Sequence, residues 1–598
     1  MSDSLAGGGL FVYLAGLLVI GWATVGMIGI TWDEPNYFGS SYLYLSWLGG
    51  IFTDPSGWWS SIDRFWEQSH EAPPFFKLWA GVFAVVGVLF VGTDDLVALG
   101  DFYRMGSYVL FLASIYAAFR FMRREFGSDA AWGAAVTMPL IPVLFGFARL
   151  GQLDGAVASM YLISMVALFS LVMRRDVSWR RVALTGLIVG MAFATKITVF
   201  PLVVCALAFA AIFRRRIVVF VRLFVSFAVG AVAFFAVWPW IWPEPIPRTL
   251  EFLTWAGGLQ DERFTYYLGR LWAGAPLHYP LVALLVFVPL VVAVVALIGL
   301  SRLLRNAGSP ASAWLLLNLA LVVAVAASGL TPVYGGPRQF LAAFPLWAMC
   351  AGVGVGWTVM KLRRRYRGRR LWGRRLLPVF LVLYAGLALP GILWSGLSNS
   401  LEYYGEAVGL VPGANALGFE TTYLADTYRP AIEWVNENAP EGATVYVQAG
   451  TYPVAESYRR SGQLRDDLRP AYLGPIASGR FTTDDSPRED SYFLFLPRQS
   501  IYTNQMLALE EQPPLYSYEK GSVLFLAVYS GEQVGRTLDI AGRPQARQVG
   551  WLNATVVGGG LVALVGWVFH GSRRAKEHKE KDRDHEQIPH REHPDKDG

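Results

Sequence analysis

About twelve apolar runs, each close to 20 residues, are separated by short loops that collect the arginines. No other feature of the chain constrains its fold as strongly. A run of that length crosses the ~30 Å hydrocarbon core as a helix, because only a helix or a closed barrel satisfies its own backbone there. The candidate crossings are 8–30, 105–121, 130–147, 155–173, 182–195, 197–213, 217–238, 279–300, 313–329, 340–359, 376–394 and 551–570. Composition agrees: 54% of residues are hydrophobic and only 16% are charged, against roughly 25% charged in a soluble protein. Soluble enzymes, coiled coils and disordered scaffolds are excluded.

One further apolar stretch, 75–91, is settled by charge. Arg120/Arg123/Arg124, Arg174/Arg175/Arg180/Arg181, Arg214/Arg215/Arg216, Arg302/Arg305 and the run 361–375 fall on one side only if 75–91 does not cross. The prolines Pro73 and Pro74 suit an interfacial or re-entrant helix there. The reading is twelve crossings with both termini cytoplasmic. Segment 31–76 then faces outward, with Asp33, Glu34, Asp54, Asp63, Glu67 and Glu71 set against Arg64.

The expected organisation is a transmembrane domain over 1–394, its first external loop (31–92) carrying interfacial helices. A small external α/β domain follows over 395–550, because strand-like runs at 444–447, 492–496 and 522–529 flank a helical pattern near 429–438. A last crossing covers 551–570, and a disordered, charged cytoplasmic tail without apolar period covers 571–598. Cys205 and Cys350 both lie in apolar runs, so no disulfide framework exists.

Chemistry is limited by histidine. Of seven in the chain, only His70 and His278 lie outside the C-terminal end, so a histidine metal centre or a Ser-His-Asp triad is nearly excluded. Carboxylates with Lys and Arg remain. Asp33-Glu34 follows the first crossing among Trp32, Tyr37 and Phe38, where apolar surroundings raise a carboxylate towards useful base strength; solvated charges at a helix end are the bland alternative. Asp154 opens an apolar helix five residues after Arg149, where a helix cap is the plain reading. Lys196 divides two short apolar segments, and a charge at that depth is a functional candidate by default, with snorkelling as its rival. Arg338 follows a glycine-rich turn. His70 and Lys77 flank Pro73-Pro74, and His278 enters a helix beside Tyr279. Cations at membrane level hold a lipid phosphate, and a nearby carboxylate deprotonates a hydroxyl or binds a divalent ion. The same pattern suits a proton-coupled transporter.

These strings resemble the polyprenyl-phosphate-sugar-dependent membrane glycosyltransferases of the GT-C fold, in the glycosyltransferase family 39 group of protein O-mannosyltransferases and aminoarabinose transferases. The resemblance rests on Asp33-Glu34, the His70–Lys77 string, Ala148-Arg149 with Asp154, 190–196 ending Ala-Thr-Lys, Trp238-Pro239, Arg338 with Pro345, and Tyr403-Tyr404 through Gly418-Phe419-Glu420-Thr421-Thr422-Tyr423. It implies Asp33 as catalytic base with Glu34 beside it and Asp154 as a second acidic position. Lys77, Arg149, Lys196 and Arg338 become donor-phosphate contacts, with Arg263, Tyr267, His70 and His278 as weaker cavity residues.

The fold expected is thus an all-α polytopic bundle of GT-C type with a small external α/β domain. The function expected is inverting transfer of a hexose or pentose from a polyprenyl-phosphate donor to an acceptor hydroxyl, outside a prokaryotic plasma membrane. The acceptor is a protein, lipid or cell-wall glycan, and no nucleic acid is involved. No tightly bound metal or other cofactor is expected, while a divalent ion at Asp33/Glu34 stays open. The rivals are a flippase for lipid-linked sugars and a non-catalytic assembly protein of the cell envelope.

Overall fold

The computed structural model describes residues 2–258, 263–329, 331, 333–366, 370–473, 490–549 and 552–586. Among them, eight helices are long and apolar enough to cross a bilayer: Gly8–Met27, Leu96–Phe126, Leu153–Met173, Ile217–Ala236, Pro310–Ala327, Ala343–Arg365, Arg375–Ser395 and Asn553–Ser572. The number is nine if Ser128–Thr137 and Pro142–Ala148, bent by 70°, count as one span. The twelve crossings read from the sequence also need Trp179–Phe193, Ile197–Phe213 and the stretch 279–305, which are shorter or broken. Their breaks have local causes. Lys196 is extended (φ −162°, ψ 137°), and the helix restarts at Pro201. Tyr279–Val286 stops before Pro289, which opens Leu290–Arg305, because the residue before a proline disfavours the helical region.

Helix packing orders the two faces of the bundle. Leu96–Phe126 runs antiparallel to the first helix: the Tyr108 hydroxyl donates to Leu17 O at 2.7 Å, and Arg104 donates to Ile28 O at 2.8 Å. Phe75–Val91 folds back on Leu96–Phe126. Trp79 Nε1 donates to Gly106 O at 2.8 Å, and Phe90 stacks on Phe102. A methyl on Gly106 would fall 2.7 Å from Ala80 Cα, so glycine permits this approach. Both ends of Phe75–Val91 therefore lie on the Asp33 side. The opposite face receives Arg123 and Arg124, Arg302 and Arg305, and Arg363, Arg364 and Arg365, each group in the last turn of its helix, where the macrodipole favours cations.

A hairpin of β1 (Phe264–Tyr267) and β2 (Arg270–Ala273) rises from the Asp33 side. The main sheet contains β3 (Thr444–Gln448), β4 (Arg469–Leu473), β5 (Ser491–Phe495), β6 (Tyr516–Lys520) and β7 (Val523–Ser530), in the order β4-β3-β5-β7-β6. β3 pairs parallel with β4 and β5, and β7 pairs antiparallel with β5 and β6. Alternation along the strands builds two cores. Val445, Val447, Leu494 and Val528 pack under Arg429–Asn438 and Tyr452–Arg460, while Tyr446, Phe493, Phe495 and Tyr529 pack under Asn504–Glu510. β8 (Arg547–Gln548) pairs with β2 and ties the end of this unit back to the hairpin.

The α/β unit is not loosely tethered. Leu401, Tyr404, Phe419, Tyr423 and Phe525 are buried in the same apolar core as the bundle helices. The last helix runs Leu552–Glu586, beyond the end expected at 570, so residues 571–586 are helical and not disordered as expected; Lys- and Glu-rich sequence favours continuing the helix. Residues 587–598 of the expected charged tail lie outside the described residues.

Candidate functional site

Asp33 sits at the N-terminus of helix Glu34–Thr53, and its side chain makes no capping hydrogen bond there. It accepts instead from Arg338 Nη2 at 2.7 Å. Arg338 is brought in by the turn 334–337, where Gly335 and Gly336 both take positive φ (64° and 67°), a conformation that favours glycine. Arg338 Nε also lies 3.0 Å from Asp154 Oδ2. Asp154, in the first turn of Leu153–Met173, accepts from Lys196 Nζ at 2.7 Å, and Lys196 donates further to Gln339 Oε1 at 3.1 Å. A chain of alternating charge results: Asp33, Arg338, Asp154, Lys196. Burial disfavours the Arg338 charge, but Asp154 and then Asp33 offset it and hold the guanidinium cationic well above the ordinary range.

Asp33, Arg338 and Lys196 of this charge chain line a cavity of about 350 Å³. Asp33, Tyr37, Glu71, Lys196, Arg263, Tyr334, Arg338 and Gln339 supply its polar wall, and Val157, Tyr161, Phe200, Val322, Val325 and Trp255 supply much of the apolar one. Trp255 and Phe252 come from Pro245–Gly258, whose opposite side exposes Ile246, Leu250 and Leu253. Desolvation and neighbouring Asp33 hold the Tyr37 phenol well above its ordinary value, so it remains a donor. Arg263 and Arg338 stand 5.1 and 5.4 Å from the Tyr334 ring.

Four of the sequence candidates thus share one cavity with a fifth, weaker one: Asp33, Asp154 (through its partners), Lys196, Arg338 and Arg263. The others stand apart. Glu34, though adjacent to Asp33, turns into the protein and accepts from Arg104 Nε and Nη2 at 2.7 and 2.6 Å, Thr31 N at 2.8 Å and Gly151 N at 2.7 Å. Burial raises its carboxyl, yet Arg104 and the two backbone donors outweigh this and hold it below the usual range. Arg149 is fully buried and donates to Thr24 O, Leu397 O and Ser400 Oγ at 3.0, 2.7 and 2.7 Å. Lys77 donates to Ser69 O, Ala72 O and the Tyr44 hydroxyl at 2.7, 2.8 and 3.2 Å, which closes the loop before Pro73. His70 stacks on Trp240 at 4.4 Å, and His278 packs 5.3 Å from Tyr267, itself buried against Tyr279 and Phe419.

Tyr37, Glu71, Tyr334 and Gln339 escaped the sequence reading as site residues. The signal for two of them was present: Glu71 stands in the acidic loop beside Pro73-Pro74, and Gln339 follows Arg338. Asp33 and Glu34 do not fit a shared divalent ion, because Glu34 is saturated by four donors on the far side of the helix start. No group of three or more His, Cys, Asp and Glu poised for a metal occurs among the described residues.

None of the curated protein sequences matches this chain. Similar solved structures include ArnT from Cupriavidus metallidurans in the apo state, at 16% identity over 90% of this chain and 100% of that one, with a TM-score of 0.48. The same protein bound to undecaprenyl phosphate gives 15% identity, 90% and 99% coverage and a TM-score of 0.47. Archaeal oligosaccharyltransferase AglB from Archaeoglobus fulgidus, in complex with an inhibitory peptide and a dolichol-phosphate, gives 12% identity over 75% of this chain and 64% of that one, with a TM-score of 0.44. Residues 99–242 match the protein-family model described as dolichyl-phosphate-mannose-protein mannosyltransferase, and over that stretch, which holds Arg104, Arg149, Asp154 and Lys196, the chain is similar to the polyprenyl-phosphate-dependent GT-C glycosyltransferases.

Proposed function

We propose that the chain is a membrane glycosyltransferase that takes a hexose or pentose from a polyprenyl-phosphate donor and transfers it, with inversion, to an acceptor hydroxyl on the external side of the membrane. The carrying observation is the Asp33–Arg338–Asp154–Lys196 chain along one wall of a cavity whose other wall is apolar. The apolar wall suits the first isoprene units. Lys196, Arg338 and Arg263 suit the phosphate, Arg338 and Arg263 through guanidinium forks and Lys196 as a point charge.

In this reading the donor phosphate draws Arg338 from Asp33, freeing lone pairs on the carboxylate. Asp33 takes the proton of the acceptor hydroxyl as its oxygen bonds to the anomeric carbon. The bond to phosphate breaks on the opposite face, and the departing polyprenyl phosphate gains negative charge beside the cations, which stabilise the transition state more than the ground state. Asp154 holds Lys196 and Arg338 in place between turnovers. No step requires a metal. In the same reading both termini lie in the cytoplasm, which the arginine-rich face supports.

The test uses purified full-length protein in nanodiscs with a panel of undecaprenyl-phosphate-linked hexoses and pentoses. It follows sugar transfer and slow release of sugar to water. Asp33→Asn abolishes turnover while undecaprenyl phosphate still binds. Full turnover by that variant overturns the base assignment, and failure of the wild type to bind undecaprenyl phosphate overturns the donor class.

A further inference from the structure

Between the first helix and Asp33 lies a short non-helical segment, 28–32, clamped from two sides. On the bundle side, Arg104 Nη1 donates to Ile28 O at 2.8 Å and Nη2 to Gly29 O at 2.7 Å. The other side belongs wholly to the α/β domain. Ile30 N donates to the Tyr458 hydroxyl at 3.0 Å, Trp32 N donates to Leu424 O at 2.8 Å, and Arg429 Nη1 donates to Gly26 O at 3.0 Å. The side chains follow the backbone. Ile30 and Trp32 pack against the core that holds Tyr428, Val454 and Tyr458.

Two glycines show how closely the surfaces meet. A methyl on Gly29 would fall 2.1 Å from Asp426 O, and one on Gly450 would fall 2.1 Å from the Trp32 ring. The segment is therefore as much a part of the α/β domain as of the bundle, although 428 positions separate Ile30 from that domain's Tyr458.

We propose that the α/β domain is a positioning element of the reaction centre: Tyr458 and Leu424 fix the backbone of 28–32 and thereby aim Asp33. This rests on the reading of Asp33 as base. Asp33 has Arg338 as its side-chain partner, and that partner is expected to leave for the donor phosphate. Once it leaves, the carboxylate is placed only by the backbone before it and by the helix after it. Glu34 anchors the helix start, and the domain anchors the segment ahead of it. Without Tyr458 and Leu424, the N–H groups of Ile30 and Trp32 would lie unpaired in a closed seam, which is costly enough to shift the strand. Displacement by about 1 Å at a reacting group costs on the order of 10²-fold in rate.

The experiment compares Tyr458→Phe and Gly29→Ala with Asp33→Asn, and with Tyr516→Phe as a hydroxyl deletion in the same domain that does not touch 26–32. Donor turnover is measured on full-length protein in nanodiscs with the wild-type donor. Each value is divided by the stoichiometry of undecaprenyl phosphate binding, so that loss of folded protein is removed. The expected result is a fall in kcat of about tenfold for Tyr458→Phe and more for Gly29→Ala, with donor KM within about twofold. Tyr516→Phe stays at wild type. Unchanged kcat per binding site in both variants, with Asp33→Asn inactive, overturns the positioning inference and leaves the proposed function standing. Full turnover by Asp33→Asn overturns the base assignment on which the inference rests. A fall in kcat matched by an equal fall in binding stoichiometry also overturns the inference, since it reports only unfolding.

Discussion

Replacing Glu34 by glutamine separates two carboxylates that stand side by side in the sequence. Glu34 accepts four hydrogen bonds, two of them from Arg104, and Arg104 is otherwise surrounded by the carbonyls of Val25, Ile28 and Gly29. Glutamine keeps the shape but turns an N–H towards at least one donor and leaves the buried guanidinium without its hydrogen-bonded carboxylate, with only the more distant charge of Asp101 beside it. Removing one member of a buried pair costs ~3–5 kcal/mol. At ~2 °C per kcal/mol for a large chain, the melting temperature falls by roughly 6–10 °C. Tryptophan fluorescence during a fixed-rate thermal scan in nanodiscs reads this. Turnover per folded molecule stays within about tenfold, because the Glu34 side chain does not reach the cavity.

The pH dependence has a definite sign. A glutamate held below its ordinary range contributes stability above that range and loses it as pH falls through its own lowered value. Wild-type protein therefore loses stability at acid pH more steeply than Glu34→Gln, and the two converge there. An unchanged melting temperature with abolished turnover would refute the reasoning, because Glu34 would then act in the chemistry.

Two further outcomes test the frame around the site. Glu402 and Asp426 are buried against each other at the domain seam. Burial raises both carboxyls, Asp426 to about 7 and Glu402 well above its ordinary value, so folding favours their protonated forms and stability declines as pH rises from the ordinary carboxylate range through about 7; Glu402→Gln is expected to raise the melting temperature at pH 8 and to leave it nearly unchanged at pH 5. Gly299→Ala would place a methyl 1.7 Å from Cys350 O, between helices Leu290–Arg305 and Ala343–Arg365; overpacking of this kind costs about 1–3 kcal/mol or more, which the same thermal scan detects as a lowered melting temperature.

The bundle was legible because lipid imposes a harsh filter: apolar length and arginine placement are one-dimensional signals, and both survive into the helices. The strand runs of the α/β domain were legible through alternation, which the two cores on either face of β3, β5 and β7 display. Asp33, Asp154, Lys196 and Arg338 stood out because few charges occur among apolar residues, so each one needs a reason. What stayed hidden was direction. Nothing local distinguishes Arg149, spent on backbone carbonyls, from Arg338, spent on the cavity. The same holds for Lys77 and Lys196. Their difference lies in which distant segments arrive beside them, such as Leu397 and Ser400 at Arg149, and that is a property of the folded chain.

The Asp33-Glu34 pair makes the point physically. Successive side chains at a helix start diverge by about 100°, so two adjacent carboxylates cannot both face one cavity. One must turn inward, and it survives burial only with a full set of donors, which Arg104, Thr31 and Gly151 provide. The other would ordinarily cap the helix, a contribution of about 1 kcal/mol. Asp33 makes no such bond. The helix therefore forgoes a cap at a position whose carboxylate meets Arg338 at the cavity wall. Under the proposed function, the residue that gives up its local hydrogen bond is the one that takes the acceptor proton, while its neighbour is held by four. The two carboxylates form a single device in which Glu34 fixes the helix start and Asp33 is left available at the cavity wall.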